Sequence, residues 1–183
     1  MAGITEKSNS GLFENEVEFN GKYATYVRFL KDDIGLFSTF REAYTTAAVI
    51  GYLNNCDETA DDSEKVQAAS IFPNELNKRK ADLRFLYRVI MLTKDEPGFS
   101  IEDYMNRTFR DDSDEESTER LKNNMAVFNR YACGGLEFLY DKFKDLDKTE
   151  DVVNTLYEYI HDYIIGIGLL ADDELPDFSP DFN

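Results

Sequence analysis

Residues 40–53 read FREAYTTAAVIGYL, the clearest helical pattern in the chain. Its apolar positions recur at the three- and four-residue spacing of an α-helix and leave almost no polar face. Thr39 and Glu42 stand where a capping box would begin such a helix. Because a helix that is apolar on nearly all sides must be covered, the pattern predicts that a helix from about Ser38 to Leu53 lies in the middle of the core.

The same spacing predicts further helices on both sides of this central one. They cover residues 22–31, 73–93, 100–109 and 117–144, and a last helix starts after Thr149. Gly134 and Gly135 mark a kink, a break between two helices, or a smooth surface where another helix packs closely. For residues 11–21 a loop, a short strand pair and a helical turn all remain open. The expected fold class is all-α, a single-domain irregular bundle of about five to seven helices.

Two of these helices have clear inner faces. Pro73 suits the first turn of the 73–93 helix, whose expected inner residues are Leu76, Leu83, Tyr87 and Ile90. The last helix carries its expected inner side on Val152, Val153, Leu156, Ile160 and Ile164. Most of the 14 Phe and 11 Tyr residues follow helical spacing, so we expect them in the core.

The ends of the chain differ in composition from its middle. We expect residues 1–10 to form a disordered tail, 11–171 the helical domain, and 172–183 an acidic C-terminal tail. Cys56 and Cys133 do not form a CxxC pair, and residues 1–10 lack the apolar core of a signal peptide. The apolar stretch 163–171 is about half the length of a membrane span. These features predict a cytoplasmic protein with no membrane contact.

The net charge is −17, and it is unevenly distributed. Residues 1–91 hold 11 Lys and Arg against 14 Asp and Glu, whereas residues 92–183 hold 9 against 23. The halves therefore carry −3 and −14. Because such a charge repels phosphate backbones, we expect no direct nucleic-acid binding.

The acidic residues and the single histidine do not form a recognisable catalytic or metal site. Glu158 and His161 have Glu-x-x-His spacing, but a di-iron bundle needs two such motifs. The acidic run 111–116 lacks the glycine turn of a calcium loop, and Cys133 fits a small buried residue at a tight helix contact. Phosphate-binding and nucleophile-elbow motifs are also missing. We expect no catalytic residues, no metal and no cofactor.

One short window opposes the overall charge. Residues 78–94 contain six cations and one acid, Asp82, which gives a local charge of +5. The partner-binding candidates are Lys78, Arg79, Lys80, Arg84 and Arg88. They either contact a partner or are neutralised by the chain's own acidic segments 57–64 and 111–119, and the second interpretation is favoured in so acidic a protein.

The central helix also carries a family resemblance. Residues 40–44 (FREAY), 47–52 (AAVIGY) and Asn54-Asn55 resemble a pattern in small accessory proteins of bacterial DNA-phosphorothioation (Dnd) and related phage-defence clusters. Residues 83–87 and 100–104 sit where those proteins have their next helices. The likeness spans about residues 25–110, and the acidic region after 110 has no counterpart in it. It implies a helical, non-catalytic component of a DNA-modification or restriction system.

Three classes of function follow from these patterns. The first is an accessory or adaptor protein that binds other proteins of a bacterial DNA-modification or phage-defence system. The second is an acidic DNA mimic that inhibits a DNA-binding protein, and the third is an enzyme of unrecognised class. The expected partner is a protein, and self-association into a homo-oligomer stays open.

Overall fold

The computed structural model describes residues 4–6, 11–58, 61, 69–110, 118–146 and 148–169. Its α-helices are α1 Lys22–Arg28, α2 Phe40–Leu53, α3 Pro73–Asn77, α4 Lys80–Thr93, α5 Ile101–Met105, α6 Thr118–Phe143 and α7 Thr149–Gly166. The strands are β1 Ile4–Glu6, β2 Val17–Phe19 and β3 Ala69–Ile71. The mostly helical class is therefore confirmed. The chain divides into two compact units, residues 1–140 and 141–183.

A small antiparallel sheet, ordered β1-β2-β3, was not predicted by the sequence patterns. In it Ile4 pairs with Phe19, and Val17 pairs with Ile71. The expectation of a disordered tail over 1–10 is wrong for Ile4–Glu6, which form β1, and the open segment 11–21 contains β2. Strands of three residues are too short to show the two-residue alternation that predicts a strand.

The central helix α2 lies in the core as predicted. Its buried residues are Ala43, Tyr44, Ala47, Ala48 and Gly51. The Thr39 side chain accepts a hydrogen bond from the Glu42 amide and caps the helix, while the Glu42 carboxylate accepts from the amide of Ser38 instead of Thr39. One hydrogen bond of the predicted capping box is thus present. The other is made with the Ser38 amide, one residue before the predicted donor.

Gly135 of α6 lies where α2 crosses it closely. A Cβ added at Gly135 would overlap the Ala47 carbonyl, whose carbon would be only 2.6 Å away. On α2, a Cβ at Gly51 would overlap the backbone of Tyr131. Cys133, between these contacts, is buried. Since α6 is continuous through Gly134 and Gly135, neither a break nor two helices is present, and the close packing of another helix is confirmed for Gly135. Gly134 instead packs against Cys56, which follows α2.

Aromatic rings join the N-terminal segment to the helices. Phe13 packs edge-on against Phe128 of α6 and Tyr87 of α4, with ring centroids 5.5 and 6.4 Å apart. Tyr44 of α2 contacts Phe128 and donates a 2.6 Å hydrogen bond to the side chain of Asn129. This bond satisfies two polar groups that would otherwise be costly in the core.

The single helix predicted over 73–93 is two helices. Pro73 begins α3, which ends at Asn77, and α4 starts at Lys80. Arg79 leaves the helical conformation at φ −130°, ψ 25°, and its amide donates to the Leu76 carbonyl in a tight turn. The predicted inner residues Leu76, Leu83, Tyr87 and Ile90 are nevertheless all buried. The periodicity of the buried side is kept across the turn, and for that reason it could not reveal the break.

In the second unit the inner side predicted for α7 is mostly not buried. Val152 is the only buried residue of this helix. Ile160, also assigned to the inner side, is 46% exposed. The reason is that this unit contains, among its described residues, only one complete helix, so little other surface is present to cover a broad apolar face. No helix among the described residues is long and apolar enough to cross a membrane.

Candidate functional site

The basic residues singled out from the sequence lie on and just before α4. The helix turns Leu83, Tyr87, Ile90 and Met91 towards the core. Lys78 and Arg79 are exposed in the turn that precedes α4, and Lys80, Arg84 and Arg88 are half-buried along it. The cations therefore border the buried side of the helix instead of forming one fully solvated array.

Several of these cations are paired with acids nearby. Lys80 forms an ion pair with Glu14, Arg79 lies 3.4 Å from the Asp82 carboxylate, and Lys94 lies 2.6 Å from that of Glu96. The hydrogen bond from Lys80 holds the pKa of Glu14 below its ordinary value, and the charge of Arg84 contributes in the same direction. Internal neutralisation is thus observed for part of the window.

Some of the neutralising acids, Glu14 and Glu96 among them, lie outside the predicted segments. In the predicted segment 57–64, Asp57 pairs with Arg130 of α6, and Asp61 accepts a hydrogen bond from the Lys22 amide. These two contacts are with α6 and α1. Residues 59–60 and 62–64 lie outside the described residues, and neutralisation by this segment stays a prediction. Most of the second predicted segment, 111–119, lies outside the described residues. The pairing of Glu14 with Lys80 was not predicted, because Glu14 is distant in the sequence and is placed beside α4 only by the fold.

The outer face of α4, which we define as Phe85, Val89 and Leu92, is apolar and exposed. The exposed fractions of these side chains are 65%, 39% and 45%. Their spacing of four and three residues places them in one line along the helix, opposite the buried side. The expectation that the aromatic residues lie in the core is wrong for Phe85, and likewise for Phe72, Phe99 and Phe109. Both apolar stripes of α4 are visible in the sequence, but helical spacing does not indicate which of the two is buried.

Arg88 connects this face to the next element. After α5 the chain continues as a π-helix, Asn106–Arg110, which packs on α4. The Arg88 guanidinium lies 5.6 Å from the centre of the Phe109 ring, a cation–π distance. Arg88 is one helical turn from both Phe85 and Leu92. The Arg88 cation therefore lies beside the exposed apolar side chains of this face.

We expect replacement of both Arg84 and Arg88 by alanine to lower the stability of the protein. Their half-buried stems cover apolar surface, and their charges lie near Glu14 and over Phe109. The expected loss is about 1–2 kcal/mol at low salt and becomes smaller as salt rises. Thermal unfolding of both proteins at low and high salt measures it. Equal melting temperatures at every salt concentration would contradict this structural role.

Arg107 binds the π-helix to α4 and to the loop that follows α4. Its side chain is 5% exposed, with Nε donating to the Met91 sulfur at 3.2 Å and Nη1 3.4 Å from the Glu96 carboxylate. The guanidinium also lies over the Phe99 ring. A hydrogen bond from Lys94, foremost, holds the pKa of Glu96 below its ordinary value of 4.5, and Arg107 adds to the effect. This arrangement fixes α5 and the π-helix against α4.

Glu96→Gln is expected to destabilise the protein and to change its response to acid. The folded-state pKa of Glu96 is lowered, so its stabilising effect is present above the ordinary value of 4.5 and disappears as pH falls through the lowered value. The loss at neutral pH should be about 1–2 kcal/mol, because Arg107 is buried but Glu96 is partly exposed. Melting temperatures from neutral to acidic pH should converge for the two proteins. A constant difference down to the lowest pH would contradict the assignment.

Other chemical groups of the described residues have structural roles. The groups with shifted pKa values are Glu14, Lys22, Tyr23, Glu96, Asp103 and Tyr131. They belong to ion pairs, to the buried core or, for Asp103, to the capping box with Ser100. His161 is half-buried beside Tyr157. No group of three or more His, Cys, Asp or Glu within the described ranges is placed to hold a metal ion.

Comparison with known proteins does not identify a family for this chain. No protein-family model, no curated protein and no solved structure matches this chain.

Proposed function

We propose that this chain is a non-catalytic accessory or adaptor protein that binds another protein through the outer face of α4. The observation that carries the proposal is the exposed line of Phe85, Val89 and Leu92 on a helix whose opposite side is already in the core. Contiguous exposed apolar side chains with polar borders are typical of protein interfaces.

The composition of this surface favours a protein interface over a small-molecule site. Phenylalanine and arginine are enriched in interfaces, and a central aromatic residue often contributes most of the binding energy. Phe85 is the aromatic residue of this face and its most exposed side chain, with Arg88 one turn away and Phe109 beside Arg88. The surface is a helix face with side chains projecting from it, and a partner would have to supply the complementary cavity.

The wider context is proposed from the sequence resemblance. An accessory protein of a bacterial DNA-modification or phage-defence system needs surfaces that join other components and needs no reaction centre of its own. The structural roles of the pKa-shifted groups agree with a binding protein. Neighbouring genes that encode DNA-modifying or restriction enzymes are the expected genomic context, and their absence from the surroundings would remove this part of the proposal.

The rival function, a DNA mimic, receives less support from the described acids. In the acidic half, Glu137 pairs with Lys22, and Asp141 with Lys144. A mimic of DNA requires carboxylates free to meet the cations of its target in a regular array. Paired carboxylates of this kind are less suited to that role, so we keep the adaptor as the proposal.

A site-specific crosslink tests the proposed function. A photo-reactive phenylalanine analogue is placed at position 85 in the native host, and in a control protein at position 72. Phe72 is matched because it is a similarly exposed phenylalanine, 58%, on a different element. The expected result is one protein crosslinked from position 85 and not from 72. Absence of any crosslink from position 85, in cells where the control protein is equally abundant, would overturn the proposal.

A further inference from the structure

We infer that the protein forms a symmetric dimer through the exposed face of α7, which we define as Ile160, Tyr163 and Ile167. The occupant of this face is a second copy of α7. The inference goes beyond the proposed function, which uses α4. Four properties carry it: the exposure of the face, its spacing, the position of the acids on α7, and the small size of the unit that contains this helix.

The α7 face is apolar and open to solvent. Its three side chains are 46%, 37% and 56% exposed, and Leu169, just beyond the helix, is 67% exposed. Ile160 belongs to the inner side that the sequence predicts for α7, so the pattern of a covered face is present without its cover. Burying apolar surface is favourable by about 25 cal/mol per Å². A partner that covers this face would therefore stabilise α7.

The spacing of the α7 face matches that of a helix which packs on another helix. Ile160, Tyr163 and Ile167 follow one another at three and four residues, and the half-buried Val153 and Leu156 continue this spacing towards the N-terminus. Side chains with alternating spacing of three and four insert between those of a facing helix. The line from Val153 to Ile167 is about 21 Å long, enough for a short helix pair.

The acids of α7 do not prevent two copies from meeting. At about 100° per residue, Asp151, Glu158 and Asp162 lie on the side of the helix away from the α7 face. The side chain of Asp162 is accordingly 85% exposed. The fourth acid, Glu150, stands in the first turn, ahead of the face. Because a two-fold interface brings the same patch of both subunits together, a patch without acids is required in a chain of net charge −17.

The size of the second unit favours a second copy as the occupant. Residues 141–183 make a unit of about forty residues, a size at which disulfides, metals or oligomerisation usually add the missing stability. The unit has no cysteine, and among its described residues no group is placed to hold a metal ion. Oligomerisation remains. The uncharged face also has no charge that would select a different protein of opposite charge.

The expected dimer is weak and depends on concentration. Stable interfaces take about 20–30 residues from each partner, whereas smaller ones are typical of transient contacts. The exposed part of α7 is one short helix face, so it belongs to the second group. We expect a Kd in the micromolar range and a monomer that remains folded on dilution.

Analytical ultracentrifugation of the full-length protein tests the inference, at concentrations from about 1 μM to about 1 mM. The dimer fraction should rise with concentration. Ile160→Asp introduces a carboxylate from each copy into the interface and should raise the Kd about tenfold or more. Asn154→Asp is the matched control, because it adds the same charge at an exposed position on the side of Glu158. Its Kd should stay within about threefold of the wild type.

Two further measurements separate the interface from a folding defect. Ile160 and Asn154 are both exposed, so both variants should keep the circular dichroism spectrum of the wild type. A photo-reactive phenylalanine analogue at position 163 should crosslink two copies of the purified chain, and the same analogue at position 154 should not.

The other outcomes overturn the inference. A protein that is monomeric at every concentration has no second copy on its α7 face. A dimer that Ile160→Asp and Asn154→Asp weaken equally, or that neither weakens, is held elsewhere. If Phe85→Ala dissociates the dimer and Ile160→Asp does not, self-association belongs to α4. The proposed function is tested separately, because the position-85 crosslink seeks a different protein in the native host.

Discussion

Replacing Ala48 with aspartate is expected to unfold the protein. Ala48 lies in the middle of α2 and is completely buried, and the helix is covered there by other parts of the core. An aspartate at this position would carry an unpaired charge into the interior, which costs at least about 3 kcal/mol and more where relaxation is limited. Because whole domains are stable by only about 5–15 kcal/mol, this is a large fraction of the total.

The control for this change lies two residues away. Thr46 is on the same helix but exposed, so Thr46→Asp introduces the same charge without burying it. We expect its free energy of unfolding to stay within about 0.5 kcal/mol of the wild type. Circular dichroism and thermal unfolding of the three proteins decide the matter. If Ala48→Asp melted at the temperature of Thr46→Asp, α2 would not be the central helix.

Gly135→Ala should reverse the usual effect of a glycine-to-alanine change in a helix. Alanine normally stabilises a helix interior by about 1 kcal/mol over glycine. At Gly135 the added Cβ would overlap the backbone of Ala47, which cannot turn away as a flexible side chain could. Overpacking of this kind costs about 1–3 kcal/mol or more, so we expect a loss of about 3 kcal/mol. The melting temperature should fall by about 6–12 °C for a chain of this size.

Gly166 provides the matched control. It ends α7, and a Cβ added there would have nothing within 4 Å. Gly166→Ala should therefore leave stability unchanged or raise it by a few tenths of a kcal/mol, about what helix propensity allows at a helix end. The two substitutions are chemically identical, so their difference in melting temperature measures the close contact of α2 and α6 directly. A Gly135→Ala protein as stable as Gly166→Ala would exclude that contact.

The helices could be predicted from the sequence because their buried positions recur over many residues. For α2, five buried residues lie at helical spacing, and this is sufficient to identify both the helix and its central place. The break at Arg79 was missed because its neighbours Leu76 and Leu83 keep the helical spacing on both sides. The strands were missed because three residues give no periodicity, and the pairing of β2 with β3 joins positions about fifty residues apart in the chain.

The candidate site was only half predictable for a related reason. The cations of α4 are visible in the sequence as a local excess of charge. Their neutralisation was assigned to the nearest acidic runs, whereas Glu14 reaches Lys80 from 66 positions away. The exposure of Phe85 could not be read from its type, because phenylalanine is more often buried than exposed. Which acids and which aromatics meet a helix is decided by tertiary packing.

The position of Phe13 has a consequence for synthesis on the ribosome. This ring is fully buried, and its two aromatic neighbours, Tyr87 and Phe128, lie 74 and 115 residues further along the chain. The segment around Phe13 is translated before both partners and cannot reach its final environment until α6 has been translated as far as Phe128. Contacts between such distant positions slow folding, because a long loop must close before they form. Until then Phe13 lacks the two rings that cover it in the folded protein.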